Sequence, residues 1–168
     1  RRLISLLDLS SVHREHLLSR GMTQEMIDNG LYRSLPAGRR GFVVNRLVEE
    51  FDLSGVPGFG LYNERWAMAM SRSSGILIPV VSPQRKIVAC HIRVDNGGRY
   101  KNLSSSWLPK GAATGARVHQ AIPHIIKRSI SEIWITEGVL KANIAANVLG
   151  AIVWAVPGIS NWREVVEL

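Results

Sequence analysis

The chain has 168 residues, 46% of them hydrophobic and 20% charged, which suits one well-packed domain or a small domain with an appendage and excludes a mainly disordered chain. Lys and Arg outnumber Asp and Glu by 21 to 13, a net charge of +8, so a polyanionic partner is expected. No apolar run approaches the roughly 20 residues of a spanning helix, and the single cysteine, Cys90, excludes an internal disulfide and a cysteine-rich zinc module.

Together with the lack of a Lys-rich amphipathic anchor, these features predict a cytoplasmic protein without a membrane partner. The start at Arg1-Arg2-Leu3, without Met, reads as a piece of a longer protein. Arg1 to Leu7 has too short an apolar part for a signal peptide.

In chain order, Ser10 or Ser11 caps a first helix that carries Val12, Leu17 and Leu18 and stops at Gly21. Thr23 then caps a second short helix reaching about Asn29-Gly30. Arg14, Arg20 and Arg33 lie nearby, so the pair reads either as a DNA-binding helix-turn-helix or as a packing hairpin. Val44, Leu47, Val48 and Phe51 repeat at helical spacing and predict a third helix over Gly41 to Phe51. LSGVPGFGLYNERWAMAMSRSSG has no clean period and reads as an ordered loop.

Strands follow. GILIPVV and KIVACHIRV are β-branched runs separated by Ser82-Pro83-Gln84-Arg85, which suits a hairpin. RYKNLSS reads as a third strand after the Asn96-Gly97-Gly98 turn. From Ser131 the rhythm changes: EIWIT reads as a buried strand, VLKANIAANVLG as a helix closed by Gly150, AIVWAV as a second strand and SNWREVVEL as a helix capped by Ser160. This is a βαβα unit with a parallel pair, and such units bind ligands outside the carboxyl ends of their strands. Thr136-Glu137-Gly138 and Pro157-Gly158 are thereby expected side by side on one rim, with Trp134 and Trp154 in the core.

Glu137 is the first candidate for chemistry. A hard cation such as Mg²⁺ takes one or two carboxylate oxygens together with water and phosphate. The alternative is an acid at a helix start that meets the dipole and pairs with Lys141 one turn on. Arg93, Arg99, Lys101 and Lys110, with Arg117 beyond, form a second candidate set, read either as a phosphate-neutralising surface or as a solvated basic face. His119 and His124, like His13 and His16, lack the further ligands of a metal site, and structural or surface roles are expected of them.

From Gly75 onward the chain resembles the catalytic core of bacterial replicative primases. GILIPVVSPQRKIVACHIRV is similar to their strand pair with its terminal Arg, here Arg93. RYKNLSS is similar to their Lys-Tyr-Leu-Asn-Ser segment through Lys101, Leu103 and Ser105, LPKG to a later Lys-Gly through Lys110 and Gly111, and ITEG to the first TOPRIM strand. Upstream, HLLSRGMTQEMI resembles a linker segment of the same enzymes. The likeness extends to TOPRIM-bearing replication proteins of phages, plasmids and integrative elements, which carry Glu-Gly-x-x-Lys-Ala, here Glu137 to Ala142, and a downstream Ser-Asn-Trp, here Ser160 to Trp162.

The resemblance implies an α/β fold, α+β overall: a helical N-terminal region and loop over 1–70, an antiparallel-sheet primase-like subdomain over 71–130, and the first half of a TOPRIM domain over 131–168. It implies Glu137 as a catalytic, Mg²⁺-binding residue, with Gly138 and Gly158 on its rim. Arg93, Arg99, Lys101, Lys110 and Lys141 would contact nucleic acid, single-stranded DNA first, and nucleotides. A helicase or another replication protein would be a further partner.

Two departures bear on activity. Lys141 stands where replicative primases have an Asp, and all four Asp residues (Asp8, Asp28, Asp52 and Asp95) precede Glu137. The Asp-x-Asp pair of the family is therefore absent up to Leu168. Two-metal chemistry needs several carboxylates around ions roughly 4 Å apart, so this stretch by itself is expected to be inactive. A non-catalytic DNA-binding module on the same scaffold and a TOPRIM nuclease or topoisomerase fragment are the alternatives.

Overall fold

In the computed structural model, the described residues are 1–38, 40–70, 73–129, 131–158, 160 and 163–166, with backbone alone for 164 and 166. The N-terminal helices form where their caps predict. Ser10 Oγ accepts from the His13 N–H at the start of α2 (Ser11–Ser19), and Thr23 Oγ1 accepts from the Met26 N–H at the start of α3 (Gln24–Asn29). A short α1 (Arg2–Ser5) precedes them, and α4 (Gly41–Glu50) follows, burying Val43, Val44 and Leu47 along one stripe.

The first sheet has the order β1-β4-β5-β6 and is antiparallel throughout: β1 (Arg33–Leu35), β4 (Gly75–Val81), β5 (Ile87–Val94) and β6 (Tyr100–Asn102). The last three are the predicted meander, and β1 is an added strand. Strand β4 is apolar at nearly every position because both its faces are covered. Leu77 joins Ile92, Val44, Leu47 and Phe59 on one side, while Ile76, Ile78 and Val80 join Leu17, Ile27, Tyr32 and Leu140 on the other. Pro79 is tolerated in this strand because β1 pairs only as far as Leu77. Leu31, with φ 56, turns the chain away before Pro79 could be faced by a partner.

The stretch expected to be a loop contains a hairpin, β2 (Phe59–Tyr62) with β3 (Arg65–Met68). Its two turn residues, Asn63 and Glu64, have φ 48 and 61, the left-handed pair that a two-residue hairpin requires.

The last sheet has the order β7-β9-β8, from β7 (His119–Ala121), β8 (Ile133–Glu137) and β9 (Ile152–Val156). Strands β8 and β9 are parallel, as expected, and are linked by α5 (Val139–Leu149), which ends at Gly150 with φ 64. Strand β8 is not buried: it is an edge strand, and Ile133, Trp134 and Ile135 are 44%, 42% and 56% exposed. Trp134 lies under the Arg128 guanidinium rather than in the core, and half-buried Trp154 donates from Nε1 to Gln120 Oε1 at 2.9 Å. A short α6 (Arg163–Val166) closes the described chain; Asn161 and Trp162 of the Ser-Asn-Trp motif lie outside the described residues. The α/β organisation, with an antiparallel sheet followed by a parallel strand pair, is borne out.

Two polar features fix segments in place. The Arg40 side chain, 5% exposed, donates to the carbonyls of Pro36 (2.8 Å), Ala69 (3.0 Å), Met70 (3.0 Å) and Ser73, and burial lowers its pKa to about 10. His13 bridges Ser34 Oγ (2.7 Å) and Asp95 Oδ1 (2.8 Å), pinning the start of α2 to β1 and to the end of β5. Among the described residues no helix is long and apolar enough to cross a membrane.

Candidate functional site

Glu137 is the last residue of β8, and Gly138 caps α5 with φ 84 and ψ 136, a conformation open essentially to glycine alone. A Cβ at Gly138 would meet nothing within 4 Å, so the backbone angle and not crowding demands the glycine. The Gly138 N–H donates to the Val156 carbonyl at 3.1 Å, which joins the ends of the two parallel strands. Pro157 follows directly, and Gly158 next to it. Glu137, Gly138 and Pro157 share one rim, and Gly158 is not among the residues that line the cleft.

The rim opens onto a cleft of about 250 Å³ lined by Glu137, Gly138, Leu140, Lys141 and Pro157 on one side and by Arg20, His91, Tyr100 and Asn102 on the other. The opposing wall comes from two places. Arg20 is the residue that ends α2, and the other three project from β5 and β6. Register explains the latter: His91 faces Ile78 and Asn102, and Arg93 faces Ile76 and Tyr100, so all four polar residues share the sheet face that carries Ile76 and Ile78 toward α2 and α5.

The charges of the cleft are open. Glu137 and Lys141 are exposed and form no ion pair with each other or with any described residue. The pairing expected of a merely structural first-turn acid is therefore not made. Arg20 and Arg93 are likewise in no ion pair among the described residues. They flank half-buried His16, whose pKa is lowered first by burial and then by Arg93 and Arg20. Burial also lowers the pKa of His91.

The remaining candidates divide. Arg93 lies on the cleft side of the sheet, its guanidinium close to Gly98. Lys101 faces Ile92 and so belongs to the opposite face, which carries α4 and the β2–β3 hairpin. Lys110 lies 6.0 Å above the Trp66 ring on that hairpin. Arg99 is exposed at the β5–β6 turn, its carbonyl accepting from the Val94 N–H. Glu137, Gly138 and Lys141 thus line one cleft, Arg93 shares its sheet face without lining it, and Lys101 and Lys110 lie elsewhere.

Sequence reasoning misses Arg20 and His91 as members of the site. Arg20 reads only as a charge near a helix pair, and His91 sits inside an apolar run. Glu137 is the one carboxylate among the lining residues, and among the described residues no three His, Cys, Asp or Glu side chains are grouped to hold an ion.

Comparison with known proteins adds one finding. No family model matches the chain, and no curated protein does. Among solved structures, the chain is similar to the zinc-binding and RNA polymerase domains of the primase from Aquifex aeolicus, with a TM-score of 0.64 and 17% identity. The match covers 94% of this chain and 40% of that one. Helical N-terminal region, antiparallel sheet and parallel strand pair thus together have a primase-like fold.

Proposed function

We propose that the chain is part of a primase-like TOPRIM replication protein that binds nucleic acid in the Glu137 cleft and, within the whole protein, contributes to Mg²⁺-dependent nucleotidyl transfer. The observation that carries this reading is the set of unpaired charges around one cleft: Glu137 on the rim, with Arg20 and Lys141 available to phosphate oxygens. Tyr100, 47% exposed and lining the same cleft, offers a ring on which an unpaired base can stack, which favours single-stranded DNA over duplex. The primase-like fold agrees with this reading.

The donor set suits Mg²⁺ as a single-carboxylate contact, since Mg²⁺ keeps water and phosphate oxygens as its other ligands. Glu137 would hold it, and the ion would offset charge on a bound phosphate. One carboxylate does not make a two-metal centre. That gives weight to a second reading, a nucleic-acid-binding module on the same scaffold without chemistry.

Fluorescence anisotropy with labelled single-stranded DNA tests the shared part. Affinity is expected to fall steeply with salt, and salt-insensitive or absent binding sinks both readings. Glu137→Gln in the full-length protein then separates them. Loss of Mg²⁺-dependent activity with an unchanged melting temperature supports the catalytic reading; retained activity removes Glu137 from the site.

A further inference from the structure

His91 is the unusual residue of the cleft. It sits in β5 with 8% of its surface exposed, on a sheet face where Ile76, Ile78, Val80 and Ala89 are apolar. Its imidazole makes no hydrogen bond among the described residues. The sealed, partnerless side-chain atoms of the described residues are His16 Nε2 and Ser82 Oγ, not the nitrogens of His91. The ring therefore opens into the cleft it lines.

Nitrogens that face the cleft without a partner in the chain are open to water, and a ligand that displaces this water must replace its hydrogen bonds or lose affinity. His119 is the contrast: it is equally buried, and both its nitrogens are engaged within the protein. Because burial holds the His91 pKa below its ordinary value, the ring is neutral at neutral pH. It carries one N–H donor and one lone pair, and adds no charge to hold a phosphate. Such a group matches hydroxyl, amide or ring-nitrogen atoms, while Arg20 and Lys141 at the same cleft supply the charge.

We propose that His91 is a specificity-determining residue that hydrogen-bonds the sugar or base of a nucleotide unit whose phosphate is taken by Arg20 and Lys141. This rests on the reading of the cleft as a nucleic-acid site. A nucleotide unit can arrive free or within a strand, and the two share this chemistry.

The test is equilibrium binding of ATP, a short oligodeoxythymidylate and inorganic tripolyphosphate to the wild-type chain, His91→Leu, His91→Gln and Arg20→Ala. His91→Leu is expected to weaken ATP or the oligonucleotide about three- to tenfold, the worth of one hydrogen bond, and to leave tripolyphosphate unchanged. Whichever ligand loses affinity identifies the source of the unit. His91→Gln is expected to recover part of the loss, and Arg20→Ala to weaken every ligand. Equal effects of His91→Leu on nucleotide and tripolyphosphate, or no effect on either, overturn the inference alone. If the wild-type chain binds none of the three, the nucleic-acid reading falls and takes this inference with it. Should His91→Leu not fold, the ¹⁵N shifts of the wild-type imidazole decide: the inference stands only if nucleotide moves them and tripolyphosphate does not.

Discussion

Two hollows flank α5, and they treat their polar groups in opposite ways. On one side is the Glu137 cleft, whose charged residues and His91 have no partners within the described protein. On the other is a groove of about 730 Å³, nearly three times larger, in which His119, Asn143 and Tyr32 satisfy one another, while Arg85 and Lys127 along it are in no ion pair among the described residues. There the Val81 N–H donates to His119 Nδ1 at 3.0 Å, which leaves the ring proton on Nε2 for Asn143 Oδ1 at 3.0 Å. Asn143 Nδ2 donates in turn to Tyr32 Oη at 2.6 Å. At the mouth, His124 Nδ1 lies 3.0 Å from Glu25 Oε1. The closed chain of bonds at His119 joins elements of the fold, whereas His91 in the smaller cleft is bonded to no described residue. Size is the poorer guide.

This contrast can be broken by stability measurements. The largest effect is expected for Asn143→Leu, which strands the His119 Nε2–H and removes a partner of Tyr32 in the core. A loss of about 3–4 kcal/mol, or roughly 10 °C in melting temperature, should follow. A variant that melts like the wild type would show that the chain of bonds does not hold the elements together.

Acid comes next. Burial lowers the His119 pKa to about 4 from the 6.5 expected unfolded. Above pH 6.5 the ring is neutral in both states and its contribution is complete. Between pH 6.5 and about 4 the unfolded chain takes up the proton first, so stability should fall by up to about 3 kcal/mol, and no further below that. Chemical denaturation across this window should show a shallower slope in His119→Leu; an unchanged slope would assign the acid sensitivity elsewhere.

Gly138→Ala should cost about 2 kcal/mol through its backbone angle. Lys141→Gln should move stability by no more than about 0.5 kcal/mol while flattening the salt dependence of DNA binding. A large loss of stability in Lys141→Gln would place the cleft on the structural side of the comparison.

Much of the fold is legible in the residues themselves. Capping residues announce α2 and α3, apolar periodicity announces α4, and the two strand pairs follow from β-branched runs and their connectors. Glu137 and Gly138 are legible because strand, carboxylate and glycine are adjacent in the chain. The β2–β3 hairpin is not, because its turn is Asn63-Glu64 rather than Asn-Gly and its strands are short and set among glycines and prolines. Strand β8 has the composition of a buried strand, and nothing local tells that it stands at the edge of its sheet among the described residues. Arg20 and His91 reach Glu137 only through the packing of α2 and β5 against α5, a relation between distant segments that no window of sequence contains. For Lys101, alternation along β6 separates it from Tyr100 and Asn102 and is local, but which of the two faces meets α5 is set by packing.

The bond between Tyr32 and Asn143 also has a meaning in time. Its partners are 111 residues apart, and Leu17, Ile27 and Tyr32 share their core with Leu140. At a synthesis rate of about 5–20 residues per second, the first helices leave the ribosome roughly 6–20 seconds before the segment that completes their packing. For that interval Ile76, Ile78 and Val80 of β4 give α2 and α3 part of their final packing, and the cover that Val139 and Leu140 of α5 supply is the last to arrive.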